Sequence, residues 1–294
     1  MKFRRFLAIL MIITLFCIII SGCSGSDNNQ EPSPNNGGST SQSVGDDKSK
    51  GSDKSEKFDD SYKEAKEASE GGSSGSVSDS GDYPIIDAYT AFSEAKTELL
   101  SKMMDTLSDN PDTVFTSLEL LGPTMLDLAL LPVLYFSLGE EVAIAGLTFM
   151  NASDVNYKET GDVYTISYKD DEGVEFVYEG KFDESANSLV CEVTKDGDAS
   201  ILLDFIRTKY GYASQYYLIN DDGTVSLYII TTDGEGGYVG MSNSYSGKYS
   251  PLSGNEPSDF PSDCDQWFAV LGDRLIGVLT DGTEIDLALV VQDS

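Results

Sequence analysis

The stretch from Val163 to Arg207, VYTISYKDDEGVEFVYEGKFDESANSLVCEVTKDGDASILLDFIR, decides the fold. Val163, Thr165 and Ser167 alternate with Tyr164, Ile166 and Tyr168, and the same two-residue period returns in Val174–Phe176–Tyr178, Leu189–Cys191–Val193 and Ile201–Leu203–Phe205. A period of two places alternate side chains on opposite faces of a strand. Between the runs stand Asp171-Glu172-Gly173, Asp183–Asn187 and Asp196-Gly197-Asp198, residues that accept the backbone angles of tight turns. Strands this short, joined by such turns, form an antiparallel meander.

The pattern continues toward the C-terminus. Tyr210, Tyr212, Ser214 and Tyr216 are followed by Val225, Leu227 and Ile229, then by Tyr238 and Gly240, with turns at Lys209–Gly211, Asp221-Asp222-Gly223 and Asp233-Gly234. Seven or eight such strands are expected to curl into a strongly bent sheet. Ser242–Pro261 reads as a loop. Ser262-x-x-Asp265 has the spacing of a capping box and predicts a short helix carrying Trp267, Phe268 and Val270, ended by Gly272. Leu275–Leu279, Asp281-Gly282 and Ile285–Val290 predict a closing hairpin.

Toward the N-terminus the period lengthens to three and four. Ile85, Ile86, Tyr89, Phe92, Leu99, Met103 and Leu107 make an apolar stripe, with Glu94, Lys96, Glu98 and Lys102 between them. Asn110-Pro111 predicts the cap and first residue of a second helix bearing Val114, Phe115, Leu118 and Leu121. A third helix is expected over Thr124–Leu131, stopping at Pro132, with Thr124-x-x-Asp127 as its capping box. Strand periodicity is expected from about Val142. The apolar region Leu118–Phe149 is interrupted by Pro123, Asp127, Pro132, Glu140 and Glu141, so it predicts a buried element, with Leu126, Leu130 and Leu134 in the core, and not a bilayer crossing. Lining of an apolar ligand cavity is the alternative.

Composition excludes several chemistries. The chain has 294 residues, 50 acids, 19 bases, a net charge of −31 and no histidine. Histidine-based acid–base, metal or nucleophile chemistry is therefore closed to these residues. Such a charge repels phosphate backbones, so no nucleic acid partner is expected. No phosphate loop, nucleophile elbow or zinc spacing occurs, and no cofactor or metal is expected. The Asp-rich turns lack the twelve-residue calcium pattern. Asp281, Glu284 and Asp286 supply the carboxylates a hydrolase would need. Tyr210, Tyr212 and Tyr216 share a strand face by parity and are the candidate ligand-binding residues, suited to a carbohydrate or peptide.

The N-terminus has Lys2, Arg4 and Arg5, then fifteen uncharged residues from Phe6 to Ile20, then Ile20-Ser21-Gly22-Cys23. This order has the layout of a secretory signal. The last four residues resemble the lipobox of bacterial lipoproteins. That resemblance implies removal of residues 1–22, acylation of Cys23 by fatty acids such as palmitate, and a lipid-anchored protein on the extracytoplasmic face of the cell membrane. Export permits a disulfide between Cys191 and Cys264; spacing leaves open whether it forms. Residues 23–82 follow as a lipidated tether. Ser and Gly supply 25 of the 59 positions from 24 to 82, a composition that predicts disorder. Within it, the Phe58, Tyr62 and Ala65 spacing predicts a transient helix.

Residues 83–294 are expected to form one α+β domain, N-terminal helices packed on a curved antiparallel meander. This layout loosely resembles the half-barrels of LolA-like lipoprotein carriers; no motif supports it, so no residue role is implied. The leading expectation is a non-catalytic binding module. A carrier of lipid or another apolar ligand, and a carboxylate-dependent hydrolase, are the alternatives.

Overall fold

A computed structural model describes residues 84–234 and 236–290. The signal segment, Cys23 and the tether lie outside the described residues.

Among the described residues, five helical elements come first. They are α1 (Pro84–Asp109), α2 (Val114–Glu119), α3 (Leu121–Ala129), a 3-10 turn at Leu131–Tyr135, and α4 (Glu140–Phe149). Pro84 begins α1, where its missing N–H costs nothing, and Asp87 faces the positive end of the helix dipole. Asn110 does not cap α2. Its side chain accepts from the Asp112 N–H at 3.0 Å, which makes a turn, and Thr113 precedes the helix instead.

Eleven strands follow. They are β1 (Ser153–Thr160), β2 (Val163–Lys169), β3 (Glu175–Asp183), β4 (Ser188–Lys195), β5 (Asp198–Arg207), β6 (Tyr212–Ile219), β7 (Val225–Thr232), β8 (Gly237–Ser242), β9 (Gln266–Leu271), β10 (Arg274–Val278) and β11 (Glu284–Ala288). Every strand pairs antiparallel with its sequence neighbours, in the order β1 to β11, and the sheet does not close. The Asp196-Gly197 pair joins β4 to β5 with positive φ at both residues, 51° and 90°, as a two-residue hairpin turn requires.

Two expectations of element type are corrected. Val142 does not open the strands: Glu140 and Glu141 sit in the first turn of α4, and Ala143 and Leu147, four residues apart, are its buried side. The segment with Trp267, Phe268 and Val270 is not a helix. It is β9, hydrogen-bonded to β8 on one side and β10 on the other, and only a 3-10 turn at Phe260–Asp263 precedes it. Two ladders outweigh the capping spacing, and Gly272 turns the β9–β10 hairpin.

The alternation along β3 and β4 sends Tyr178, Gly180, Phe182, Leu189, Cys191 and Val193 inward. In β5 and β6, Ile201–Ile206 and Ala213–Tyr217 are buried at every position, because both faces of these strands are covered. Ile201, Leu203, Phe205 and Tyr216 join a core with the helices. Leu202, Tyr217, Leu227 and Ile229 join a second core closed by Tyr249. The long segment between β8 and β9 thus lies on the sheet.

Val114–Tyr135 is, among the described residues, the one stretch long and apolar enough to cross a membrane. It is divided among α2, α3 and the 3-10 turn. Leu126, Leu130 and Val133 are buried from it, and Leu134 is half-buried against the same core.

Candidate functional site

Lys96 lies on α1 one turn after Phe92 and one turn before Leu99 and Leu100, so the helix carries it into the apolar interface. It is fully buried. Its ammonium pairs with Asp127 of α3 and donates to the Tyr216 hydroxyl of β6 at 2.6 Å. The nitrogen also sits 4.8 Å from the ring centre of Tyr216 and 5.1 Å from that of Phe92. The Tyr216 hydroxyl hydrogen-bonds to Asp127 as well. Three elements distant in sequence therefore meet at one amine, one carboxyl and one phenol. Phe92 stacks on Phe205 at 4.8 Å beside them.

Burial dominates the electrostatics. It pushes Asp127 above the usual carboxylate range, with the charge and hydrogen bond of Lys96 pulling the other way. It pushes Lys96 down, against the pull of Asp127. Both groups are thus driven toward their neutral forms. Tyr89 stands nearby with its hydroxyl buried and without a hydrogen-bond partner; burial and then the Asp127 charge raise its pKa well above normal.

Asp127 is therefore not a helix cap. Thr124 and Asp127 both lie inside α3, whose preceding residue makes no side-chain cap. The polar residue missed in the sequence was Lys96. The stripe Tyr89, Phe92, Leu99, Met103 skips the position that Lys96 fills, and Asp127 is the one acid within the apolar α3 region. Two opposite charges, each on an apolar face, were the available signal.

A second buried polar cluster lies on the opposite face. Asp204 accepts from Gln215 Nε2 at 3.1 Å, from the Tyr249 hydroxyl at 2.9 Å and from the Leu252 N–H at 2.9 Å. Gln215 also donates to the Ser250 carbonyl at 2.7 Å, and Tyr217 donates to Gln215 Oε1 at 2.9 Å. Desolvation pushes Asp204 up to about 6, although each of these donors favours its charged form. This cluster fastens the β8–β9 segment to the sheet.

The three candidate tyrosines do not make one surface. Tyr212 and Tyr216 share a face of β6, but Tyr216 is wholly buried and Tyr212 half-buried with its ring against Phe92. Tyr210 precedes β6 and donates to the Glu256 carbonyl at 2.6 Å, holding the β8–β9 segment. Cys191 and Cys264 are separate free thiols, and Cys191 is buried. Of the carboxylates near the C-terminus, Asp281 accepts from the Thr283 N–H and Asp286 pairs with Arg274 on the surface. The turns at Asp196 and Asp221 border a half-open groove with Lys195 and Asn220; no group of three His, Cys, Asp or Glu side chains among the described residues is placed to hold a metal.

Compared with protein-family models, curated proteins and solved structures, the chain has no significant match.

Proposed function

We propose that this protein is a lipid-anchored, extracytoplasmic binding module that works through its surface and without catalysis. Cys23 carries the lipid, residues 24–82 are the tether, and residues 83–294 are the module, its helices covering one face of a curved, half-barrel-like meander. The lipobox order at Ile20–Cys23 supports the anchor. The observation that carries surface binding is the filled space between α1 and the sheet. Phe92 lies on Phe205 and Lys96 on Tyr216, where a carrier would keep room for an acyl chain. By contrast, Phe115 and Leu118 of α2, Met125 of α3 and, separately, Phe149 at the end of α4 are mostly in solvent. Large apolar side chains left in solvent on two neighbouring helices, α2 and α3, favour an apolar protein partner over a carbohydrate.

Metabolic labelling with a fatty-acid analogue tests the anchor. Label is expected on the wild type and absent from Cys23→Ala; equal label on both refutes it. Native mass spectrometry of a chain beginning at Gly81, which carries neither the lipid nor the apolar N-terminal segment, tests the mode of binding. A stoichiometric co-purified lipid would replace the module with the carrier reading.

A further inference from the structure

The Lys96–Asp127 pair combines an amine and a carboxyl, in contact, among aromatic rings, with one phenol hydrogen-bonded to both. We propose that this pair condenses without an enzyme to an amide, an intramolecular isopeptide bond between Lys96 Nζ and Asp127 Cγ that ties α1 covalently to α3. The inference is independent of what the module binds.

Three physical features support it. The first is the electrostatic state of the reactants. In water an amine and a carboxylic acid exchange a proton, and the resulting ammonium and carboxylate do not condense. Here burial pushes Lys96 down, toward the free amine whose lone pair can attack. It pushes Asp127 up, toward the acid whose hydroxyl can leave. A buried ion pair also carries a desolvation cost that its attraction repays only with good geometry, and an amide removes both charges. The second is position. Two groups held in contact by a folded chain react with effective concentrations on the order of 10⁵–10⁸ M. The third is the surrounding donors. Tyr216 touches both reactants, and the buried Tyr89 hydroxyl, close enough to Asp127 to respond to its charge, has no partner.

The step balances with no further reagent. The Nζ lone pair attacks Cγ of the protonated carboxyl and a C–N bond forms. A proton leaves Nζ through the Tyr216 hydroxyl and reaches the departing oxygen. The C–O bond breaks, one water departs, and an amide N–H and C=O remain. The Asp127 side chain is 21% exposed and Lys96 not at all, so the water has an exit while the nitrogen stays shielded. The closed ring spans residues 96 to 127 and contains α2. A cross-link of that size restricts the unfolded chain, as a disulfide does.

A tryptic map of the full-length protein, denatured before digestion, decides the matter. Trypsin cuts after Lys66, Lys96, Lys102 and Lys158 in this region. With the bond in place, cleavage after Lys96 is lost. Residues 67–102 then appear joined to residues 103–158 in one branched species, lighter by one water than the two peptides together. Fragmentation should place the branch at Lys96 and Asp127. Recovery of 67–96 as a separate peptide, with no branched species, overturns the proposal; so does a branch at any other pair. The wild-type map alone gives this answer. Lys96→Arg is expected to lose the branched species entirely, and Tyr216→Phe to show a larger unlinked fraction. Full linkage in Tyr216→Phe would overturn the relay assigned to that hydroxyl.

Discussion

Asp204 sits in the middle of β5, in the run Ile201-Leu-Leu-Asp-Phe-Ile206, and its carboxyl is out of water. Three donors point at it, yet desolvation outweighs them and raises it from 3.8 to about 6. The direction sets the pH dependence. The unfolded chain gives up this proton near pH 4, the folded chain only near pH 6. The stability linked to it is complete below about pH 4 and is lost as pH rises through about 6, an amount of about 3 kcal/mol. Asp204→Asn removes the titration and keeps one acceptor oxygen for Tyr249 or Leu252. The stability of the wild type relative to Asp204→Asn, from urea midpoints, should fall between pH 4 and pH 7. A difference that stays level, or grows with pH, would show that the donors win over desolvation. Because Asp204 holds Tyr249 and Leu252, the same titration is expected to loosen the β8–β9 segment first, visible as faster amide exchange at Leu252.

Between elements, the helical layer meets the sheet through a glycine. Gly180 lies on β3 opposite Cys191, and the buried Phe136 ring occupies the place its side chain would take. A methyl group there has nowhere to go, since neither the ring nor the strand backbone is at an exposed edge. Gly180→Ala should cost about 1–3 kcal/mol, the usual range for overpacking. The control is Phe136→Leu: combined with Gly180→Ala, the total loss should be smaller than the two single losses added, because the shorter side chain makes room. Additive losses would mean that Phe136 does not rest on residue 180. Strands β2 to β4 were legible because each had one face buried and a polar turn at each end, and β5 to β7 because polar turns bound apolar runs of strand length although both faces of β5 and β6 are covered. Two segments were not. Val142–Phe149 and Gln266–Leu271 are nearly continuous apolar runs, and periodicity cannot tell a short buried helix from a strand. Their identity is set by what lies beside them: α4 has glutamates at its N-terminus, and β9 has β8 and β10. The two buried polar clusters were hidden for a related reason. Lys96 and Asp204 read locally as a surface lysine and a strand acid, and only the arrival of Asp127, Tyr216, Gln215 and Tyr249 from distant positions gives each its surroundings.

At the scale of the whole chain, the composition divides it near residue 82. Positions 24–82 hold thirteen acids, six lysines and few apolar residues, and the two cores found among the described residues begin at Ile85. A segment of that composition has too little apolar surface to offset the ordering entropy of roughly 1–2 kcal/mol per residue. Its excess of acids has the same sign as the charge of the rest of the chain, so attaching it is expected to add repulsion, screened beyond about 8–10 Å at ordinary salt. Both effects predict no stabilising role for residues 24–82. A chain beginning at Gly81 is therefore expected to melt within about 4 °C of one beginning at Ser24, and at low salt slightly above it. For a domain of this size a shift of 4 °C corresponds to about 1 kcal/mol or more. Calorimetry on the two chains measures the difference directly. A Gly81 chain melting more than about 4 °C below the longer one would place part of residues 24–80 in contact with the folded domain. The Phe58, Tyr62 and Ala65 spacing would then mark the segment that docks, and Phe58→Ser in the longer chain should reproduce the loss.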